Sequence, residues 1–209
     1  MLETVSFASC YVYSPQGRCA VSIRSRLLRA RLKDRDQRFL ERYAERVRRD
    51  LADEPRFAGW FDLHTILVPV PGSLPQTPGC ASTTEILASA LVARGLGGSV
   101  WTGLRRATLV MKSATAAGGR RPSVHTHYDS FAVGRLADPD RKLLLVDDVV
   151  TKGRTLIAAA SRLQDAYPNA RIQAFALLRT MGFVAELTSL VEPCIGEIRW
   201  RRGDAHRCP

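Results

Sequence analysis

Residues 143–146 (LLLV) form an unbroken apolar run that stops on two adjacent carboxylates, Asp147 and Asp148. A run with no polar alternation is the pattern of a parallel strand buried on both faces, which requires helices above and below it. The residues that follow, Thr151, Lys152, Gly153, Arg154 and Thr155, bring hydroxyls, a flexible glycine and backbone N–H groups to the start of a helical pattern. Such a turn is a phosphate cradle. In open α/β sheets ligands bind beyond the carboxyl ends of the strands, which is where Asp147 and Asp148 stand. Neighbouring carboxylates repel, so beside an anion site they make sense if they serve hydroxyl groups or a hydrated metal ion. A sugar phosphate supplies both needs.

The surrounding chain has the same texture. Short apolar runs at 65–70 (TILVPV), 99–104 (SVWTGL), 142–147 (KLLLVD) and 172–178 (IQAFALL) alternate with helical patterns at 82–94 and 154–167. In the first helical pattern Ile86, Leu87, Ala90 and Leu91 share a face; in the second Leu156, Ala159, Ala160 and Leu163 do. This is the signature of βα units around a parallel sheet, an α/β fold. Upstream, residues 5–13 read as a strand or hairpin arm, closed by a turn at Pro15 and Gly17. One long helix is expected next, with Leu28, Leu32, Phe39, Leu40, Tyr43, Val47 and Leu51 on its buried face, ending at 53–59 (DEPRFAG). Residues 112–128 lack apolar periodicity, and long irregular segments in compact domains are often functional. At 209 residues a single domain is expected, with an N-terminal helical region over 1–60, a core over 61–180 and a C-terminal extension over 181–209.

The formal net charge of +11 favours anionic partners, whether phosphorylated metabolites, nucleic acid or an acidic protein surface. Much of the excess lies in 24–49, an arginine-rich helix that is either a solvated face or a nucleic-acid or partner surface, and in 199–207 (RWRRGDAHR). Five scattered cysteines without a CxxC pair signal neither a disulfide framework nor a zinc ribbon. No apolar run approaches the roughly 20 residues of a membrane span, and the N-terminus does not read as a secretory signal. A cytoplasmic protein is expected. The P-loop pattern G-x-x-x-x-G-K-[ST] is absent, and the GLGG at 95–98 is too short for a dinucleotide fingerprint and follows a helix.

Four hydrophobic residues, two acidic residues, two hydrophobics (Val149 and Val150) and then T-x-G-x-T resemble the phosphoribosyl pyrophosphate signature of type I phosphoribosyltransferases. The resemblance implies that fold: a central parallel sheet flanked by helices, with a small hood from the terminal segments that holds the acceptor. It implies that Asp147 and Asp148 bind the ribose 2′- and 3′-hydroxyls, and a metal ion through those hydroxyls or water. It further implies that Thr151 to Thr155 hold the 5′-phosphate. Three further segments resemble the ComF and GntX branch, associated with competence and DNA or nucleotide uptake: 32–40 (LKDRDQRFL), 68–71 (VPVP) and the block 112–133. The zinc module of many ComF proteins is absent, and the basic residues that usually follow V-P-V-P are replaced by GSLPQTPG at 72–79. Pyrophosphate would then depend on Pro71, on the backbone N–H groups of Gly72 and Ser73, and on loop cations.

The activity so implied is transfer of a phosphoribosyl group to a base or amine nitrogen with release of pyrophosphate and with Mg²⁺ on the pyrophosphate. Lys112, Arg120 and Arg121 are the candidate closing cations, and His125 and His127 could supply a base. The alternative is a binding module that keeps the ribose-phosphate pocket as a sensor and uses its basic flanks for DNA or a protein partner. Dimers are common in the family resembled, which leaves a homodimer open.

Overall fold

The computed structural model describes residues 1–52, 54–73, 79–110, 122–138, 140–182 and 186–209. Its centre is a seven-stranded sheet of order β3-β2-β6-β7-β1-β8-β9. The strands are β1 (Thr4–Tyr13), β2 (Thr65–Pro69), β3 (Ser99–Val100), β6 (Lys142–Val150), β7 (Arg171–Thr180), β8 (Val191–Arg201) and β9 (Asp204–Cys208). Five are parallel to their neighbours, from β3 through β1, and the hairpin β8–β9 is added antiparallel to β1. A separate antiparallel pair joins β4 (Leu104–Arg106) to β5 (Phe131–Val133).

Successive strand residues point to opposite faces, and both faces here are apolar. Leu143 and Leu145 of β6 enter one core with Ile66, Val68, Ala174 and Ala176. Leu144 and Val146 enter the other with Leu67, Phe175 and Leu177. The first core is covered by α4 (Val124–Ser130) and α5 (Arg154–Ala166), through Val124, Leu156, Ile157, Ala160 and Leu163. The second is covered by α1 (Ala20–Lys33), α2 (Gln37–Ala52) and α3 (Thr83–Val92), through Leu28, Leu32, Leu40, Ala44, Val47, Leu87 and Leu91. This is the α/β architecture with a mostly parallel central sheet that the apolar runs imply.

Three elements differ from their sequence reading. The long helix is two helices: Arg35 takes a left-handed φ of 55°, and Asp36 starts α2 by accepting from the Phe39 N–H at 3.1 Å. The run 99–104 is divided between β3 in the main sheet and β4 in the small one. The C-terminal segment, expected as part of a hood, supplies β8 and β9 to the main sheet, beside the β1 that the strand reading of 5–13 anticipates. The C-terminal hairpin nonetheless reaches the start of α5, because Ile198 packs against Gly153 and Arg207 donates to the Val150 carbonyl at 3.2 Å. No described helix is long and apolar enough to cross a membrane.

The connections decide where a ligand fits. After β2 the chain crosses through α3 on one face of the sheet, whereas after β6 it crosses through α5 on the other. The two strands are adjacent and parallel, so their outgoing loops diverge and open a crevice at their carboxyl ends. That is a topological switch point.

Candidate functional site

A cavity of about 190 Å³ lies at the carboxyl end of β6 and the start of α5, lined by His127, Asp147, Val149, Val150, Thr151, Lys152, Gly153, Arg154, Thr155 and Leu156. This is below the roughly 300–1,000 Å³ of pockets for larger ligands. Gly153 is the N-cap of α5 with φ 86°, a left-handed conformation that suits glycine. The turn it makes aims the first N–H groups of α5 at the cavity, where the helix dipole favours an anion. The contiguous string read from the sequence therefore closes on one cavity, apart from Asp148.

Asp147 and Asp148 are both partly buried. The Asp148 N–H donates to Asp147 Oδ1 at 2.9 Å, and Asp147 alone of the two lines the cavity. Burial, and then the Asp148 charge beside it, push the Asp147 carboxyl well above the usual carboxylate range, against the pull of Arg106. A ligand that donates hydroxyl hydrogen bonds or carries a cation relieves that cost.

Arg106, a residue the sequence pattern does not single out, stands behind the lining residue His127. Its guanidinium is buried, lies 4.0 Å over the Phe131 ring, and donates through Nε to the Gly72 carbonyl at 2.9 Å. It also donates to Ser130 Oγ, and at 3.0 Å to His127 Nδ1. The loop after β2, the β4–β5 pair and α4 are thus pinned together by one side chain. Burial holds the guanidinium down at about 10, with Asp147 opposing that shift. Its signal in the sequence is faint: a charge on the same face as Leu104 in a run of only three strand residues.

The two cations of the 151–155 turn, Lys152 and Arg154, share a partner. Asp204, at the start of β9, binds Arg154 Nη2 at 2.7 Å and Lys152 Nζ at 3.1 Å. The Arg154 hydrogen bond is the largest of the causes that hold the Asp204 carboxyl far below the usual range. Arg207 adds a bond to the Thr180 carbonyl at 2.6 Å, so the C-terminal hairpin is tied to the ends of both β6 and β7.

Pro71, Gly72 and Ser73 do not line the cavity. They are linked to it by Arg106 on Gly72 and by the Val110 N–H, which donates to the Ser73 carbonyl at 3.1 Å. Lys112, Arg120 and Arg121 lie outside the described residues. Of the residues flanking that segment, Val110 bonds Ser73, and the Pro122 carbonyl accepts from the lining residue Arg154, at Nη1, over 3.2 Å. His125 is exposed, with its ring 5.8 Å from that of Trp200.

Among the described residues no group of three or more His, Cys, Asp or Glu converges as a metal site. The hard oxygen donors of Asp147 and Asp148 fit Mg²⁺ in its usual protein setting, in which one or two carboxylates act together with waters and substrate phosphates. The sequence matches no known protein-family model, and no curated protein matches it.

Proposed function

We propose that the chain is a phosphoribosyltransferase of the type I kind, binding phosphoribosyl pyrophosphate and transferring phosphoribosyl to a base or amine. The observation that carries this reading is the convergence of Asp147 and the 151–155 turn on one small cavity at the carboxyl end of β6. The turn and the α5 N-terminus take the 5′-phosphate, and the acidic pair takes the ribose hydroxyls. In the reaction the bond from ribose C1 to the pyrophosphate oxygen breaks and a bond from C1 to the acceptor nitrogen forms. Pyrophosphate leaves with the electron pair, and the acceptor nitrogen releases its proton to solvent. Asp147 and Asp148 would hold Mg²⁺ through the ribose hydroxyls or water, and the ion would supply charge neutralisation at the pyrophosphate. The protein's contribution is positioning and electrostatics.

A second reading, a ribose-phosphate or nucleotide-binding module without turnover that acts in DNA uptake or regulation, is favoured by Asp204. Its carboxylate engages both Lys152 and Arg154 and so lowers the positive charge of the phosphate loop. One pair of measurements separates the two. Calorimetry with phosphoribosyl pyrophosphate and Mg²⁺ is expected to show binding that the Asp147→Asn, Asp148→Asn double variant loses; unchanged affinity in the variant overturns the site. Pyrophosphate release across a panel of bases then marks an enzyme, whereas binding without release marks the module.

A further inference from the structure

His127 is almost fully buried in the cavity wall, and one of its ring nitrogens is committed. A guanidinium has donors and no acceptor. Arg106 Nη2 stands 3.0 Å from His127 Nδ1, so Nδ1 must accept and carry no proton. In a neutral imidazole the proton then sits on Nε2. The ring is neutral near pH 7, because burial first and the Arg106 and Arg154 charges second push it down to about 4. Arg106 cannot swing away easily, since Gly72, Ser130 and the Phe131 ring hold it. The result is a neutral ring of fixed tautomer in the wall of the cavity that the phosphate turn also lines.

We infer that His127 is a phosphate-recognising donor whose Nε2–H, oriented through Arg106, bonds an oxygen of the phosphate monoester held by residues 151–155. This rests on the ribose-phosphate reading above. A neutral donor suits the place, because an imidazolium would add a third positive charge beside Arg106 and Arg154, whereas an N–H dipole serves the anion without that repulsion. It also removes His127 from the role of general base: Nε2 carries the proton, and the Nδ1 lone pair is taken by Arg106. His127 is therefore a binding residue for the substrate phosphate, and Arg106 is its positioning residue.

Three variants and two probes test this. Ribose 5-phosphate is expected to bind the wild type, and ribose to bind far more weakly. His127→Phe, which keeps a ring without a donor, is expected to lose about 10–100-fold in affinity for ribose 5-phosphate, the usual range for a hydrogen bond to an anion. His127→Gln, which restores an N–H, should recover much of that loss, and neither variant should alter the weak affinity for ribose. In Arg106→Met, ¹⁵N spectra are expected to show the imidazole as a mixture of tautomers, against a single Nε2-protonated form in the wild type. Equal binding of ribose 5-phosphate by wild type and a folded His127→Phe, or an Nδ1-protonated ring in the wild type, overturns the inference alone. Failure of the wild type to bind either ribose 5-phosphate or phosphoribosyl pyrophosphate overturns the inference together with the ribose-phosphate reading.

Discussion

Gly153 is constrained twice, by its left-handed φ of 86° and by Ile198, whose Cδ1 would lie 2.6 Å from any Cβ placed there. A left-handed non-glycine residue costs roughly 1–2 kcal/mol, and Ile198 would have to move as well. Gly153→Ala is therefore expected to lower unfolding stability by at least that amount in a denaturant titration. It should also weaken ribose 5-phosphate binding in calorimetry, because the turn that aims the α5 N–H groups changes. At Asp204 the prediction concerns pH. The folded state holds this carboxyl below its ordinary value, chiefly through Arg154, so the unfolded chain takes up the proton first as pH falls. The stabilisation is complete above the ordinary carboxylate value of about 4 and is lost progressively as pH drops through the lower folded value. Asp204→Asn is expected to cost about 1–3 kcal/mol at pH 7, the range for charge-assisted bonds, and the gap to wild type should close in unfolding curves taken at increasingly acidic pH. The same variant removes a negative charge from beside Lys152 and Arg154, so it should bind ribose 5-phosphate more tightly than wild type at pH 7.

The elements divide into those whose local chemistry was readable and those whose meaning depended on distant partners. β6 and α5 were legible because a strand buried on both faces and a glycine-led helix start leave strong local signals, and Leu145 at 0% exposure is the core position such a run implies. Leu145→Ala is expected to lower stability by about 2–5 kcal/mol in denaturant unfolding, as cavity-forming core substitutions do. α3 begins with a capping box: the Ser82 hydroxyl accepts from the Glu85 N–H at 3.2 Å, while the Ser82 N–H donates to Glu85 Oε2 at 2.7 Å. Losing that serine should cost about 1 kcal/mol in the same assay. The break between α1 and α2 was also written locally, since Asp36 is an N-cap residue three positions before Phe39. The apolar periodicity simply ran across it, because both helices bury the same face. The β8–β9 hairpin had a turn signal in Arg202 and Gly203, both at positive φ. Nothing local, however, tells that the hairpin would carry Asp204 to Lys152 and Arg154. The site was likewise half legible. Asp147 and the 151–155 turn are contiguous in the chain, whereas Arg106 and His127 acquire their roles only when β4 and α4 fold against the loop after β2.

At the scale of the whole molecule the charge of +11 is less concentrated than the sequence pattern suggests. Arg31 faces Asp34 and Asp36, Arg46 faces Asp50, and Arg48 and Arg49 share Glu45. Exposed pairs of this kind are worth little, so the arginines remain available to a polyanion. If the α1–α2 face binds nucleic acid, neutralising Arg46, Arg48 and Arg49 should weaken binding and flatten the dependence of log affinity on log salt by about 0.9 for each phosphate that the variant no longer neutralises. An unchanged slope removes that face from consideration. The position of β1 has a further consequence. The first strand of the sequence lies between strands from its far end: Phe7 is in register with Ala174 on β7 and with Gly196 on β8. During synthesis β1 must wait, without its sheet partner, until Arg171–Thr180 of β7 have been made, and pairings across such sequence separations make folding slow. A chain halted before Val191 could pair β1 with β7 yet would leave its other side an open edge, which recruits neighbouring strands. Truncation at that point is expected to cause aggregation, visible by light scattering, instead of a smaller folded domain.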